Sequence, residues 1–269
     1  MKQRIITAIA IIAVALPVII IGDWLIALTG LILTGVAISE MINMRQTVSP
    51  TPWEVKTVTL LTAWWVVFHG LETPFVSWHL PAIGGLEVLA VVFVFFMLIK
   101  IIRKSFTHQE AGFYLTAILY VGMTFRAMLY LRQTGLTLFL FMLIVVALAD
   151  SCAYFAGRRF GKHKLAPVIS PNKTIEGAIG GTLGGTAFGL AFGLATGLAS
   201  APILLLMGFV AAVVGQVGDL VASSLKREYQ IKDFGKIFPG HGGVLDRLDS
   251  HLFASLAMYL VINLLNVVI

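Results

Sequence analysis

Residues 172–197 read NKTIEGAIGGTLGGTAFGLAFGLATG. Charge is confined to the first five positions, at Lys173 and Glu176, and everything after them is apolar, small or hydroxyl-bearing. About 20 such residues are what an α-helix needs to cross a bilayer. Six glycines, Gly177, Gly181, Gly185, Gly189, Gly193 and Gly197, recur every four positions. In a soluble helix each would cost about 1 kcal/mol relative to alanine. In a membrane this spacing forms a flat stripe on one helix face, where a second backbone can approach closely. The stretch therefore reads as a membrane span with a packing seam.

The rest of the chain agrees. It has 269 residues, 58% hydrophobic and 12% charged, with a mean hydropathy of +0.94. Soluble domains carry roughly 25% charged residues, so these charges are too few to cover a soluble surface. Apolar runs predict spans at 5–21, 24–43, 55–71, 82–102, 112–131, 137–156, 172–197, 202–225 and 250–268. The expected class is an all-α polytopic membrane protein with about nine transmembrane helices. Lys2 and Arg4 before an apolar run resemble a signal peptide, but the run continues to Ile21 and more spans follow, so a retained first helix is expected. The single Cys152 excludes an internal disulfide and a cysteine-based metal site.

The cations orient the spans. With the N-terminus cytoplasmic, inside segments hold 17 of the 19 Lys and Arg residues, and only Arg126 and Arg132 fall outside. Such asymmetry is the mark of cytoplasmic loops. It places the C-terminus outside and accounts for a pI of about 9.6 without a nucleic-acid partner. The expected division is a scaffold of transmembrane helices over 1–136 and a catalytic part over 137–269, with cytoplasmic loops 157–173 and 226–249.

The first five spans look chemically quiet. Asp23, Glu40, Glu54, Glu72, Glu87 and Glu110 sit at predicted ends or in loops, as do His69, His79 and His108. Each reads as an interfacial residue. Trp53, Trp64, Trp65 and Trp78 suit interfacial belts or packing. These spans offer either a homodimer surface or a lipid-facing wall, and the residues do not choose.

The character changes at Asp150, an acid about two turns inside the cytoplasmic end of its span, where ionisable residues mark function. Tyr154 and Arg158 follow at i+4 and i+8 on one face. Gly157 to Lys162 imitates a phosphate loop, but the glycine spacing is one short and His163 replaces the needed Ser or Thr. Ser170-Pro171 predicts a helix start, with Ser170 as N-cap. Its free amides beside Asn172 and Lys173 suit an anion, while a plain capped helix with an interfacial lysine explains the segment equally well. The eighth span repeats the pattern around Asp150. Gln216, Asp219 and Ser223 share a face, with Lys226 and Arg227 beyond at the mouth. A polar connection then carries Lys232, Asp233, Lys236 and the run Pro239-Gly240-His241-Gly242-Gly243. It closes on Asp246, Arg247 and Asp249, where Asp249 or Ser250 has the plainer reading of a helix cap.

Five of the thirteen carboxylates, Asp150, Glu176, Asp219, Asp246 and Asp249, are thus expected at one cytoplasmic-side pocket. All-oxygen ligands select a hard cation, so Mg²⁺ is the expected cofactor. Abundant cations and a glycine-rich loop point to phosphates, and an interfacial pocket points to a lipid substrate. The residues alone lead to metal-dependent phosphoryl or nucleotidyl transfer involving an anionic lipid. If the acceptor is a phosphate monoester, whose second pKa is about 6, no general base is required.

Ser223 to Asp249 reads S-x-L-K-R-x4-K-D-x-G-x2-F-P-x-H-G-G-V-x-D-R-L-D. This resembles the C-terminal signature of the phosphatidate cytidylyltransferases, the CDP-diacylglycerol synthases. The segments around Asp150 and Ser170–Gly177 resemble the same family, with Asn172 and Ile175 standing where its pattern has Lys and Trp. The likeness is strongest over residues 145 to 255. It implies that CTP and phosphatidic acid give CDP-diacylglycerol and pyrophosphate at a bacterial inner membrane, with the active site facing the cytoplasm. It implies Asp219, Asp246, Asp249 and Asp150 as metal ligands, and Asp219, Asp246, Lys226 and Arg227 as catalytic residues. Ser170, Asn172, Lys173, Lys226, Arg227, Lys232 and Arg247 are the implied phosphate contacts, with His241, Gly242 and Gly243 shaping the nucleotide loop. A CTP-dependent lipid kinase would share such a pocket, and an ion-coupled transporter also uses intramembrane acids.

Overall fold

The computed structural model describes residues 2–70 and 85–265, with backbone alone for 2–5 and 85. Glu72, Trp78, His79 and Pro81 lie outside the described residues, as do the expected span termini at 71, 82–84 and 266–268. Nine helices occur among the described residues: α1 (Lys2–Ile21), α2 (Asp23–Gln46), α3 (Trp53–Phe68), α4 (Gly85–Ile102), α5 (His108–Thr134), α6 (Leu136–Phe160), α7 (Ile175–Thr196), α8 (Ala201–Glu228) and α9 (Leu245–Leu264). A two-stranded hairpin, β1 (Lys164–Ala166) and β2 (Ser170–Thr174), stands between α6 and α7. Five helices, α2, α5, α6, α7 and α8, are long and apolar enough to cross a membrane. The chain is an all-α polytopic membrane protein.

The chain forms two compact units. Unit 1 is Met1–Leu129 with Asp233–Asp246, and unit 2 is Tyr130–Lys232 with Arg247–Ile269. The polar segment 233–246 thus groups with residues 1–129.

In unit 1, α5 begins with a reciprocal cap. The Glu110 amide donates to Thr107 Oγ1 at 3.3 Å, and the Thr107 amide donates to Glu110 Oε2 at 3.2 Å. Phe96, Phe106 and Tyr114 form a buried aromatic cluster beside it. Midway, α5 widens into a π-helical turn at Ile118–Met123, where Gly122 admits Val66 of α3. Glu110 is not the interfacial residue expected. It is 4% exposed, and Arg45 Nη2 lies 3.7 Å away.

Unit 2 is built on the glycine seam. A Cβ on Gly181 would lie 2.7 Å from the Ala149 carbonyl and 2.8 Å from the Ala153 methyl, both on α6. Gly177, Gly185 and Gly189 meet the same helix, and Gly193 meets Leu204 of α8. Gly197 is a correction to the stripe. It sits at φ 66°, past the helix end, where its amide donates back to Gly193 and Leu194. There the left-handed backbone conformation, not packing, calls for glycine. Gly181→Ala should destabilise the protein by about 1–3 kcal/mol through overpacking. Gly112→Ala, where a Cβ meets nothing within 4 Å, should be neutral or stabilising. Thermal unfolding of the two variants checks this.

The expected helix start at Ser170-Pro171 is also corrected. Ser170–Thr174 pairs antiparallel with Lys164–Ala166, and the Ile175 amide donates to the His163 carbonyl at 2.9 Å. The N-cap is Thr174, whose hydroxyl accepts from the Gly177 amide at 3.1 Å. Cross-strand pairing satisfies backbone groups that a helix starting at Pro171 would have used, so the helix begins four residues later.

Candidate functional site

A cleft of about 440 Å³ opens in unit 2 between α6, the hairpin, α7 and α8, a volume within the usual range for small-molecule sites. Asp150, Tyr154 and Arg158 line it from α6, at the predicted i, i+4, i+8 positions. Asn172, Lys173 and Thr174 line it from β2, and Gln216 and Asp219 from α8. Helical periodicity supplies two walls. The short hairpin turns its strand so that Lys173 reaches the third.

At the centre, Lys173 Nζ stands 2.5 Å from Asp219 Oδ2, with side chains 28% and 31% exposed. The Ser223 hydroxyl donates to Asp219 Oδ1 at 3.2 Å. Asp150 lies within electrostatic range of both Asp219 and Lys173. Asp249, half-buried on α9, is within range of Asp219, Asp150 and Lys226. Three acids on three helices thus share one neighbourhood with two lysines. Gln216 braces the wall, its Nε2 donating to Thr182 Oγ1 at 3.0 Å and to the Ala212 carbonyl at 3.1 Å.

Not every expected residue gathers here. Glu176 is turned away. Its Oε1 pairs with His163 Nδ1 at 2.6 Å, and its Oε2 accepts from the Lys162 and His163 amides. Arg227 Nε donates to the Ile169 carbonyl at 3.3 Å, which ties α8 to the hairpin. Ser170 is on β2 but not among the cleft residues, and Lys232 and Arg247 are exposed.

Asp246, His241, Gly242 and Gly243 belong to unit 1. Asp246 is 8% exposed, and its Oδ2 accepts from the Phe234 amide at 2.7 Å and the Gly243 amide at 2.9 Å. Gly242 stands at φ 82°, with Asp246 Oδ2 2.7 Å from where its Cβ would be. Here Asp246 acts as the internal tie of the loop. Phe238 and Gly242 pair across the loop tip, the Phe238 amide donating to the Gly242 carbonyl at 2.9 Å.

Sequence reasoning missed Glu40. It is an anchor on α2, 5% exposed, not a quiet interfacial acid. Its Oε1 accepts from the Val244 amide at 2.8 Å and its Oε2 from the Leu245 amide at 3.0 Å. These amides open α9, where a helix N-terminus favours an anion. Gly235 and Gly243 both pack against the same carboxylate, leaving no room for a Cβ. An acid three residues inside the end of the predicted span 24–43 was the available signal.

The acids in range of Asp219, Asp150 and Asp249, are oxygen donors of the kind that a hard divalent cation takes, with the Lys173 ammonium standing among them. Among the described residues, no three His, Cys, Asp or Glu side chains are grouped to grip a metal ion directly. Lys173 instead holds Asp219, and supplies the neutralisation that adjacent carboxylates require.

The model of the cytidylyltransferase family matches residues 2–265. The chain is 35% identical to a protein of Staphylococcus saprophyticus named phosphatidate cytidylyltransferase, over 100% of this chain and 99% of that one. It is 36% identical to a protein of the same name from Bacillus subtilis, over 99% of both chains. A Staphylococcus aureus protein of that name shows 35% identity over 100% of this chain and 99% of its own.

Proposed function

Because the chain belongs to the cytidylyltransferase family, we propose that it transfers a cytidylyl group from CTP to phosphatidic acid. The products are CDP-diacylglycerol and pyrophosphate, and the role is in phospholipid biosynthesis. The observation that carries the reading is the Lys173–Asp219 pair inside a cleft walled by membrane-type helices. Ionisable groups within membrane-type helices mark functional sites, and this mixed charge suits a phosphate-bearing substrate that arrives from the lipid.

In this reading an oxygen of the lipid phosphate forms a bond to the α-phosphorus of CTP. The bond from that phosphorus to the bridging β-phosphate oxygen breaks, and pyrophosphate leaves with the electron pair. The attacking group is mostly dianionic at neutral pH, so no side chain has to remove a proton. Positioning and charge neutralisation are what remains for the protein to supply. Lys173, Lys226 and Arg158 face the phosphates. Mg²⁺, when bound, would offset triphosphate charge as a Lewis acid, with Asp219, Asp150 and Asp249 as the residues proposed to hold it. The expected metal role of Asp246 has its own test in Asp246→Asn, read against the loop-tying role described above.

The proposed setting is a bacterial inner membrane. The N-terminus and cleft face the cytoplasm and the C-terminus faces outside, as the cation asymmetry indicates. A role of the first five spans as either a homodimer surface or a lipid-facing wall, and the absence of a nucleic-acid partner, are part of the same proposal.

The test is incubation of purified protein with cytosine-labelled CTP, phosphatidic acid and Mg²⁺. The label should enter the lipid, with pyrophosphate released. Transfer of the γ-phosphate would establish a lipid kinase instead, and uptake into vesicles without nucleotide would establish a carrier.

A further inference from the structure

Unit 1 contains a groove that the cleft chemistry does not use. Its volume is about 560 Å³, and α2, α3 and the segment Phe234–Ile237 form its walls. Along α2 it runs from Leu31 to Asn43, close to the helix end at Gln46. Twelve residues at about 1.5 Å each make about 18 Å, a little more than half of the roughly 30 Å hydrocarbon core. Its length is therefore close to the thickness of one leaflet of that core.

Its lining is graded. Leu31 and Ile32 lie at the deep end of α2, facing Leu60 and Trp64 of α3. Ser39 and Asn43 lie toward the helix end, and Lys236 adds the one cation of the lining. Lys236 is exposed and, among the described residues, makes no ion pair. The other charged wall residue, Glu40, is buried, with both oxygens committed to the Val244 and Leu245 amides. Its carboxylate is directed at the amides that open α9, whose partial positive charge offsets it. The α2 and α3 walls are tied together. Trp64 Nε1 donates to the Leu31 carbonyl at 3.0 Å, and the Trp64 ring fills the space beside Gly35.

An apolar trough with a polar end and one unpaired cation is complementary to an amphiphile with an anionic head. We propose that this groove binds one acyl chain of an anionic glycerophospholipid, with Lys236 as the point contact for its phosphate. It is a lipid-binding site in unit 1, made of residues other than those lining the Asp150–Asp219 cleft. The proposal does not depend on the reaction assigned to that cleft.

The experiment uses the full-length protein in nanodiscs and two photoreactive lipids with the same diazirine-bearing chain, phosphatidate and phosphatidylcholine. Crosslinked peptides are identified by mass spectrometry. Phosphatidate is expected to label the α2 and α3 segments around Leu31–Asn43 and Leu60–Trp64 at least fivefold more than phosphatidylcholine. Lys236→Glu should abolish that preference and Lys236→Arg should retain it. Ile32→Trp, which fills the trough and leaves the charge, should lower labelling by both lipids. Equal labelling by the two lipids in the wild type, a preference that survives Lys236→Glu, or labelling confined to unit 2 would each overturn the proposal. Turnover measured on the same samples reports separately on the cytidylyl-transfer reading.

Discussion

Asp219→Asn is expected to lower turnover by at least 10²–10³-fold, about the effect of removing one preorganised charge-stabilising group, while the protein inserts and folds normally. The substitution keeps the shape and removes the charge. Asp219 is the hub of the cleft, paired with Lys173 at 2.5 Å, accepting from Ser223, and within electrostatic range of Asp150 and Asp249. The competing idea is that the Lys173–Asp219 pair is only structural. Breaking a fully buried pair costs about 3–5 kcal/mol of stability. These side chains are 28% and 31% exposed, which places the pair between that case and a fully exposed pair, worth about 0–1 kcal/mol. If the pair serves chemistry, the loss of activity should far exceed the loss of stability. The measurement is initial rate at saturating CTP and lipid, beside a thermal unfolding curve. Near-normal turnover would remove Asp219 from the site. A fall in activity matched by an equal collapse of stability would make it a structural residue.

Glu40→Ala is expected to have the largest effect on stability. Two buried amides, Val244 and Leu245, lose a charged acceptor. Removing the acceptor and leaving a buried donor unpaired costs about 1–3 kcal/mol for each amide. Lost attraction to the α9 N-terminus adds up to about 1 kcal/mol. A local loss of about 3–5 kcal/mol follows, taken within those ranges because neighbouring terms are not additive. Glu40→Gln should fall between, since its amide offers one acceptor oxygen where the carboxylate offers two. Hydrogen–deuterium exchange at Val244 and Leu245 reads the effect directly. Protection unchanged in Glu40→Ala would falsify the anchoring role. The expected consequence for turnover runs through the loop, because Asp246 holds the Phe234 and Gly243 amides in the same segment.

The contrast between these residues shows what can be read along a chain. Membrane class was legible because hydropathy is a property of consecutive residues, and the runs at 137–156, 172–197 and 202–225 became α6, α7 and α8. The seam was legible because glycines four apart must share a helix face, and Gly177 to Gly193 do so. The cleft was partly legible for the same reason. Asp150, Tyr154 and Arg158 lie on one face of α6, and Asp219 lies at the corresponding end of α8. The family resemblance singled out 223–249 but could not show that Asp246 would be engaged with backbone amides.

Tertiary structure decided the rest, in each case through a partner remote in sequence. Ser170-Pro171 carries a helix-start signal, yet the backbone there is a strand because Lys164–Ala166 lies alongside it. That pairing moves the N-cap to Thr174 and delivers Lys173 to Asp219, 46 positions away by residue number. Glu40 looked like an interfacial acid because nothing near it in sequence needs an anion. The amides that need it are 204 and 205 residues later. Local sequence determines which stretches are apolar enough to enter a membrane and which faces they present. Which polar group meets which depends on how helices pack, and a buried donor takes whatever acceptor the fold brings to it, since leaving it unpaired costs more than any local preference contributes.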